Sequence, residues 1–261
     1  MALPASQNFC LVNALPTRPS IRAVIFDLGG TLLDWADWEG EVPQRWHRAY
    51  DALVTVSAVA ATREQFVPAM VDAEAAYWAR VARDYWSGPP SGLIADGFRR
   101  LGMRASEAEL LLVLDGYARA VDRTAVVFPD ARKTLEALRS DGYRLGLLSN
   151  TWWAAEWHNA DLATHGLAGL FDEIVYSSDL PHAKPHRYAF EWTSARLGVD
   201  PGECVMVGDW PEYDIIGAQA AGMRGIWKTN GRPRPGPSGF APDGVIAQLA
   251  ELPALIQSWS Q

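Results

Sequence analysis

The stretch Ala23-Val24-Ile25-Phe26-Asp27-Leu28-Gly29-Gly30-Thr31 decides how the chain is read. Its apolar run delivers one carboxylate into a glycine turn, which is how an open α/β sheet presents a reactive group at the carboxyl end of a strand. Asp27 is the candidate nucleophile. Gly29 stands where a chemist would want a second acid, two residues after the first.

Outward from this stretch the hydrophobic pattern changes. From about Glu41 to Asp122 nearly everything is helical in period and rich in alanine. Helices are expected over 42–60, 62–84, 91–102 and 106–122, with Thr62 and Ser106 as N-caps. A helical block placed after a first strand and before the return of α/β alternation predicts an inserted helical domain over 36–126. Alternation resumes after Phe128-Pro129-Asp130, with strands expected over 143–149, 173–177, 204–208 and 225–228. Helices are expected over 130–140, 154–165, 185–197 and 211–221, and an amphipathic helix over 245–256 closes the chain. Helix-separated strands running one way predict an α/β fold, a doubly wound parallel sheet built from 21–35 and 127–261. Residues 1–20 read as an N-terminal extension, since no basic residue precedes Arg18 and Pro4, Pro16 and Pro19 interrupt the weak apolar stretches.

Composition narrows the function. The net charge of −8 leaves no basic surface for nucleic acid. No apolar stretch approaches the roughly 20 residues that span a bilayer. Cys10 and Cys204 stand far apart and form neither a metal spacing nor a disulfide framework, so a reducing cytoplasm fits best. Lysine is scarce: only Lys133, Lys184 and Lys228 occur, against twenty arginines.

Polar groups follow several strand ends, and in a parallel sheet these ends open onto one crevice. They are Asp27, Ser149 with Asn150, Lys184 before a helix, and Asp209 with Asp214. Taken alone, an aspartate after a strand is more often a turn former or helix cap. Their joint order carries more. Phe-Asp-Leu-Gly-Gly-Thr-Leu, then Leu-Leu-Ser-Asn, then Lys184-Pro185, then Val-Gly-Asp running on to Asp214-Ile215 and Gly217-Ala218 resembles the haloacid dehalogenase (HAD) superfamily, in its phosphatase-like branch. The likeness extends over residues 24 to 218.

The resemblance implies a Rossmann-like HAD core, with the helical block as a cap of the C1 type. It implies a hydrolase that forms an aspartyl-phosphate on Asp27 and takes a small phosphorylated molecule as substrate, with Mg²⁺ as cofactor. Asp27 and Asp209 would supply metal carboxylates, Gly29 its backbone carbonyl, and Asp214 support through water. Lys184 would offset the crowded carboxylates and phosphate charge. Ser149 would donate to a phosphoryl oxygen, and the backbone amide of Asn150 would add a second donor. Thr31 shapes the first loop.

Gly29 departs from the family's phosphatases, which usually carry there the aspartate that protonates the leaving alcohol. One positioned acid or base contributes roughly 10²- to 10⁴-fold, about 3 to 5 kcal/mol. Its absence favours leaving groups of low pKa. Other family branches also lack this acid. Dehalogenases need no metal and lack the carboxylate that Asp209 retains, whereas phosphonatases use a cap lysine and none occurs between Asp27 and Lys133. Asp34, Asp37, Glu39 and His47 are candidate substitute acids. A binding or regulatory protein without turnover is a further alternative.

Tryptophan is abundant, with twelve residues. Trp35, Trp38, Trp152, Trp153 and Trp210 follow the motifs and form either an aromatic wall of the crevice or packing between cap and core. Trp46, Trp78, Trp192 and Trp259 lie on predicted helices and read as packing. The cap arginines Arg45, Arg48, Arg80, Arg83, Arg99 and Arg100 read mostly as solvated.

Overall fold

A computed structural model describes residues 19–35, 42–122, 124–231 and 234–259. Strand β1, Ala23–Phe26, lies at the centre of a six-stranded parallel sheet with every residue buried. A strand buried on both faces reads as a continuous apolar run. On one side it pairs with β4, Arg144–Ser149, which pairs in turn with β5, Glu173–Tyr176. On the other side lie β6, Cys204–Gly208, then β7, Arg224–Lys228, then β8, Gly244–Ile246. Strand order therefore reverses between β1 and β6. A crevice opens at such a reversal, outside the strands' carboxyl ends.

Alternate residues of the strands feed two apolar cores. Val24, Phe26, Leu147 and Val207 pack on one face, and Ala23, Ile25, Leu148 and Met206 on the other. Flanking helices cover both: α5, Ala131–Ser140, α6, Ala155–Thr164, α7, Arg187–Leu197, α8, Gly217–Ala220, and α9, Leu252–Ser258.

Between β1 and β4 the chain leaves the sheet. A short strand β2, Leu33–Trp35, pairs antiparallel with β3, Ala125–Val127, setting Trp35 opposite Ala125. Helices α1, Val42–Val54, α2, Arg63–Asp84, α3, Pro90–Arg100, and α4, Glu107–Val121, lie between them in the chain. These helices share a third core that includes Trp46, Phe66, Met70, Phe98 and Tyr117. It also includes Trp152, Trp153 and Ala183 from loops of the sheet domain, so helices and sheet are packed together.

Several expectations are corrected. Helix α1 ends at Val54, not near residue 60; the β-branched run Val54-Thr55-Val56 is a poor helix former, and Val56 is exposed. Strand β3 was not anticipated, because three residues carry too little periodicity to register. The closing helix expected over 245–256 begins only at Leu252, while Val245 and Ile246 extend the sheet and Pro253 sits in the first turn of α9. Pro211–Ile216 winds as a π-helix before the short α8. The N-terminal extension lies almost wholly outside the described residues. No described helix is long and apolar enough to cross a membrane.

Candidate active site

Asp27 follows β1 and Asp209 follows β6, the two neighbouring strands at the reversal of strand order. Asp214, in the π-helix, turns back toward them. One carboxylate oxygen from each of the three lies within 4.8 Å of the other two. Such close approach needs bare backbone. A Cβ on Gly30, whose φ is +72°, would meet Asp209 Oδ2 at 2.6 Å, and one on Gly208 would meet the Asp214 carboxyl at 2.3 Å.

Lys184 neutralises part of this charge. Its Nζ donates to Asp27 Oδ1 at 2.6 Å and to Asp214 Oδ1 at 2.7 Å, with only 1% of the residue exposed. Burial opposes its charge, but Asp214 and Asp27 overcome that pull and hold its pKa above the usual lysine range. Burial pushes Asp27 up to about 7, with Lys184 opposing and Asp214 and Asp209 adding to the rise. Burial, with Asp214 beside it, pushes Asp209 up to about 6. Three carboxylates share one bridging ammonium, and Asp209 is the carboxylate that Lys184 does not reach by a hydrogen bond.

That donor set suits a hard divalent cation, which prefers oxygen ligands and keeps several waters. The backbone bonds Gly30 N–H to Leu33 O and Leu33 N–H to Leu28 O fold the first turn without using the Gly29 carbonyl. Asp214 is more committed, since Oδ1 accepts from Lys184 and Oδ2 from the Trp210 amide at 2.9 Å.

The register of β1 with β4 sets Phe26 opposite Leu147, so buried Ser149 closes β4 at the same end of the sheet as Asp27. Asn150 has an unforeseen task. Its side-chain amide clamps the backbone of Lys184, accepting from the Lys184 N–H and donating to the Lys184 carbonyl, both at 2.8 Å. Pairing of this kind fixes the loop that carries the lysine.

Two cations near the site escaped the sequence reading. Lys228, at the end of β7, donates to Gly30 O at 3.3 Å and to the Asn230 side chain, and burial lowers its pKa to about 8. Its rarity in a lysine-poor chain and its place at a strand end were available signals. Arg234 lies over the Trp210 ring at 3.9 Å, with Nε 3.6 Å from Asp209 Oδ2. Its loop carried no motif.

The tryptophans divide. Trp46, Trp152 and Trp153 are buried packing residues, whereas Trp210 is exposed under Arg234 and Trp192, also exposed, stacks on Tyr188 at 5.8 Å. Arg45 is buried, not solvated. Of the proposed substitute acids, Asp34 accepts from the Trp35 amide and His47 lies on α1 in the helical block. Asp37, Glu39 and Trp38 lie outside the described residues.

A doubly wound sheet with a lysine-bridged carboxylate cluster at its switch point has the architecture of an α/β enzyme, whose ligands bind outside the carboxyl ends of the strands. The chain belongs to the haloacid dehalogenase-like hydrolase family, whose model matches residues 21–222. It is similar to a phosphoglycolate phosphatase of Vibrio vulnificus, 28% identical over 246 residues that make up 90% of this chain and 96% of the relative. Among solved structures it is similar to a HAD phosphatase from Thermococcus onnurineus, with 28% identity, TM-score 0.62, and coverage of 90% of this chain and 98% of that one. It is also similar to a 2-haloacid dehalogenase from Pseudomonas syringae pv. Tomato, with 26% identity, TM-score 0.66, and coverage of 92% and 99%.

Proposed function

We propose that this hydrolase is a Mg²⁺-dependent phosphatase acting on a small phosphate monoester through an aspartyl-phosphate on Asp27. One observation carries the reading: Lys184 bridges Asp27 and Asp214 beside Asp209, where β1 and β6 end. Relatives named as phosphatases support it. The likeness to a dehalogenase weighs less, because a metal-free dehalogenase has no use for Asp209.

Lys184 holds Asp27 Oδ1, leaving Oδ2 to attack phosphorus. As the new O–P bond forms, the bond to the leaving oxygen breaks and its electron pair departs with the alcohol. Water then attacks the phosphorus of the acyl phosphate, releasing inorganic phosphate and restoring the carboxylate. Ser149 Oγ and the backbone N–H of Asn150 donate to phosphoryl oxygens, and Lys184 keeps positive charge beside the group in flight. Asp27, Asp209 and the Gly29 carbonyl would hold Mg²⁺, with Asp214 supporting through water. When bound, the ion spreads the charge of the transferring phosphoryl group. The cap is the helical block, 36–126, whose helices α1 to α4 pack on Trp152, Trp153 and Ala183 and gate access. The substrate is a free small molecule in the cytoplasm, and neither nucleic acid nor membrane is a partner.

Hydrolysis of aryl, acyl and alkyl phosphates is assayed with and without Mg²⁺, beside Asp27→Asn. Metal-dependent phosphate release that Asp27→Asn abolishes is the expected result. Halide release from haloacids without metal would support a dehalogenase, and absence of turnover with every phosphate would support a binding role.

A further inference from the structure

Gly29 lies between two carboxylates of the site. Asp27 precedes it by two residues, and the next residue, Gly30, touches Asp209. What borders Gly29 therefore borders the reacting centre, and what borders it is an indole. A Cβ on Gly29 would stand 3.1 Å from Trp35 Cζ3 and 3.9 Å from Cη2. Carbon atoms ordinarily meet at about 3.5 to 4.0 Å, so a side chain at Gly29 would press on the benzo edge of Trp35, and the ring would have to give way to admit it.

The ring is held from several directions. Its Nε1 donates to Asp161 Oδ2 at 3.0 Å, and its edge meets Trp153 with centroids 5.5 Å apart. Behind it Trp153, His158 and Tyr176 stack in series, at 5.1 and 5.0 Å. The pairing of β2 with β3 fixes its backbone opposite Ala125. Swinging the indole away would break a hydrogen bond and expose an aromatic stack.

We propose that Trp35 is the specificity-determining residue of this site: it fills the volume of the missing acid and selects phosphate esters whose leaving group is a flat aromatic alcohol. The proposal rests on the phosphatase reading above. A phenoxide leaves with the electron pair of the broken P–O bond and takes its proton from water afterwards, so it needs no acid at Gly29. Its ring also packs against the indole edge, the arrangement aromatic pairs prefer. An alkyl alcohol has neither advantage.

The test compares kcat/KM for phenyl phosphate and ethyl phosphate, with Mg²⁺, in the wild type, Trp35→Ala and Trp35→Phe. The preference for phenyl phosphate is expected to fall about 10-fold in Trp35→Ala, mainly through KM, and to survive largely in Trp35→Phe. An unchanged preference in a cooperatively melting Trp35→Ala overturns the proposal; Trp35→Leu replaces it if alanine does not fold. A second arm introduces Gly29→Asp with and without Trp35→Ala. Ethyl phosphate turnover should rise about 100-fold only where the ring is removed, and an equal rise in Gly29→Asp alone overturns the assignment of that volume to Trp35. If the wild type hydrolyses no phosphate ester, the phosphatase reading has failed. Calorimetry with phenylphosphonate and methylphosphonate then reads the wall directly: equal wild-type affinities overturn it, and a phenyl preference lost in Trp35→Ala upholds it.

Discussion

Lys184 Nζ lies 2.6 Å from Asp27 Oδ1, joining residues 157 positions apart in the chain, both buried. Breaking a buried charge pair by removing one partner costs about 3 to 5 kcal/mol, because the other charge remains in a poor solvent. Lys184→Met is expected to lose stability on that scale in Mg²⁺-free buffer. Urea unfolding with and without Mg²⁺ checks it. A loss below about 1 kcal/mol would mean that the carboxylates relax into water.

Asp209 and Asp214 are expected to differ as metal-site residues. Asp209→Asn should weaken Mg²⁺ binding at least about 10-fold, and Asp214→Asn by less, since both Asp214 oxygens already accept protein donors. Titration calorimetry at neutral pH measures both. Equal losses would place Asp214 directly on the ion.

Glu74 ties the helical block to the sheet domain. It accepts from Trp46 Nε1 at 2.9 Å and from Trp152 Nε1 at 3.2 Å, and those two rings stack at 5.8 Å. Glu74→Ala strands two buried indole donors, each costing about 1 to 3 kcal/mol. A lower Tm is expected, together with faster proteolysis of the helical block than of the sheet domain. Uniform proteolysis would show that Glu74 is not the tie.

His158 sets part of the acid limb of stability. Burial lowers its pKa from 6.5 to about 3, so between those values the unfolded chain binds a proton that the folded chain refuses. Its contribution is therefore complete above pH 6.5 and is lost as pH falls toward 3, at about 1.4 kcal/mol per pH unit. His158→Gln removes the titrating ring, and its Tm should fall less than the wild type's between pH 7 and 5. Parallel curves would assign the acid limb to other groups.

Asp27, Ser149 and Asp209 were readable because each follows an apolar run, and a parallel sheet gathers strand ends without regard to sequence distance; Lys184 and Asp214 follow no such run and were readable only from the order of the motifs. Asn150 was readable as a position but not in its use: its amide holds Lys184, and only the packed loops reveal that pairing. Arg234 follows no strand directly, so no spacing led to it. The extended Val245 and Ile246 were lost inside an apparent helical period, because a short apolar run fits either period.

Parallel strands, the intervening helices and the carboxylates at the strand ends were legible in the amino-acid sequence, whereas the order of the strands came from the fold. Local patterning governs these features: each apolar run must be buried, and each glycine turn admits a close approach that a Cβ would block. Tertiary structure alone decided what stands over Gly29. Trp35 is six residues away in the chain, yet its place beside Gly29 depends on strand β3, on Asp161 in α6 and on the Trp153 stack. Those partners come from distant segments that only the folded chain brings together.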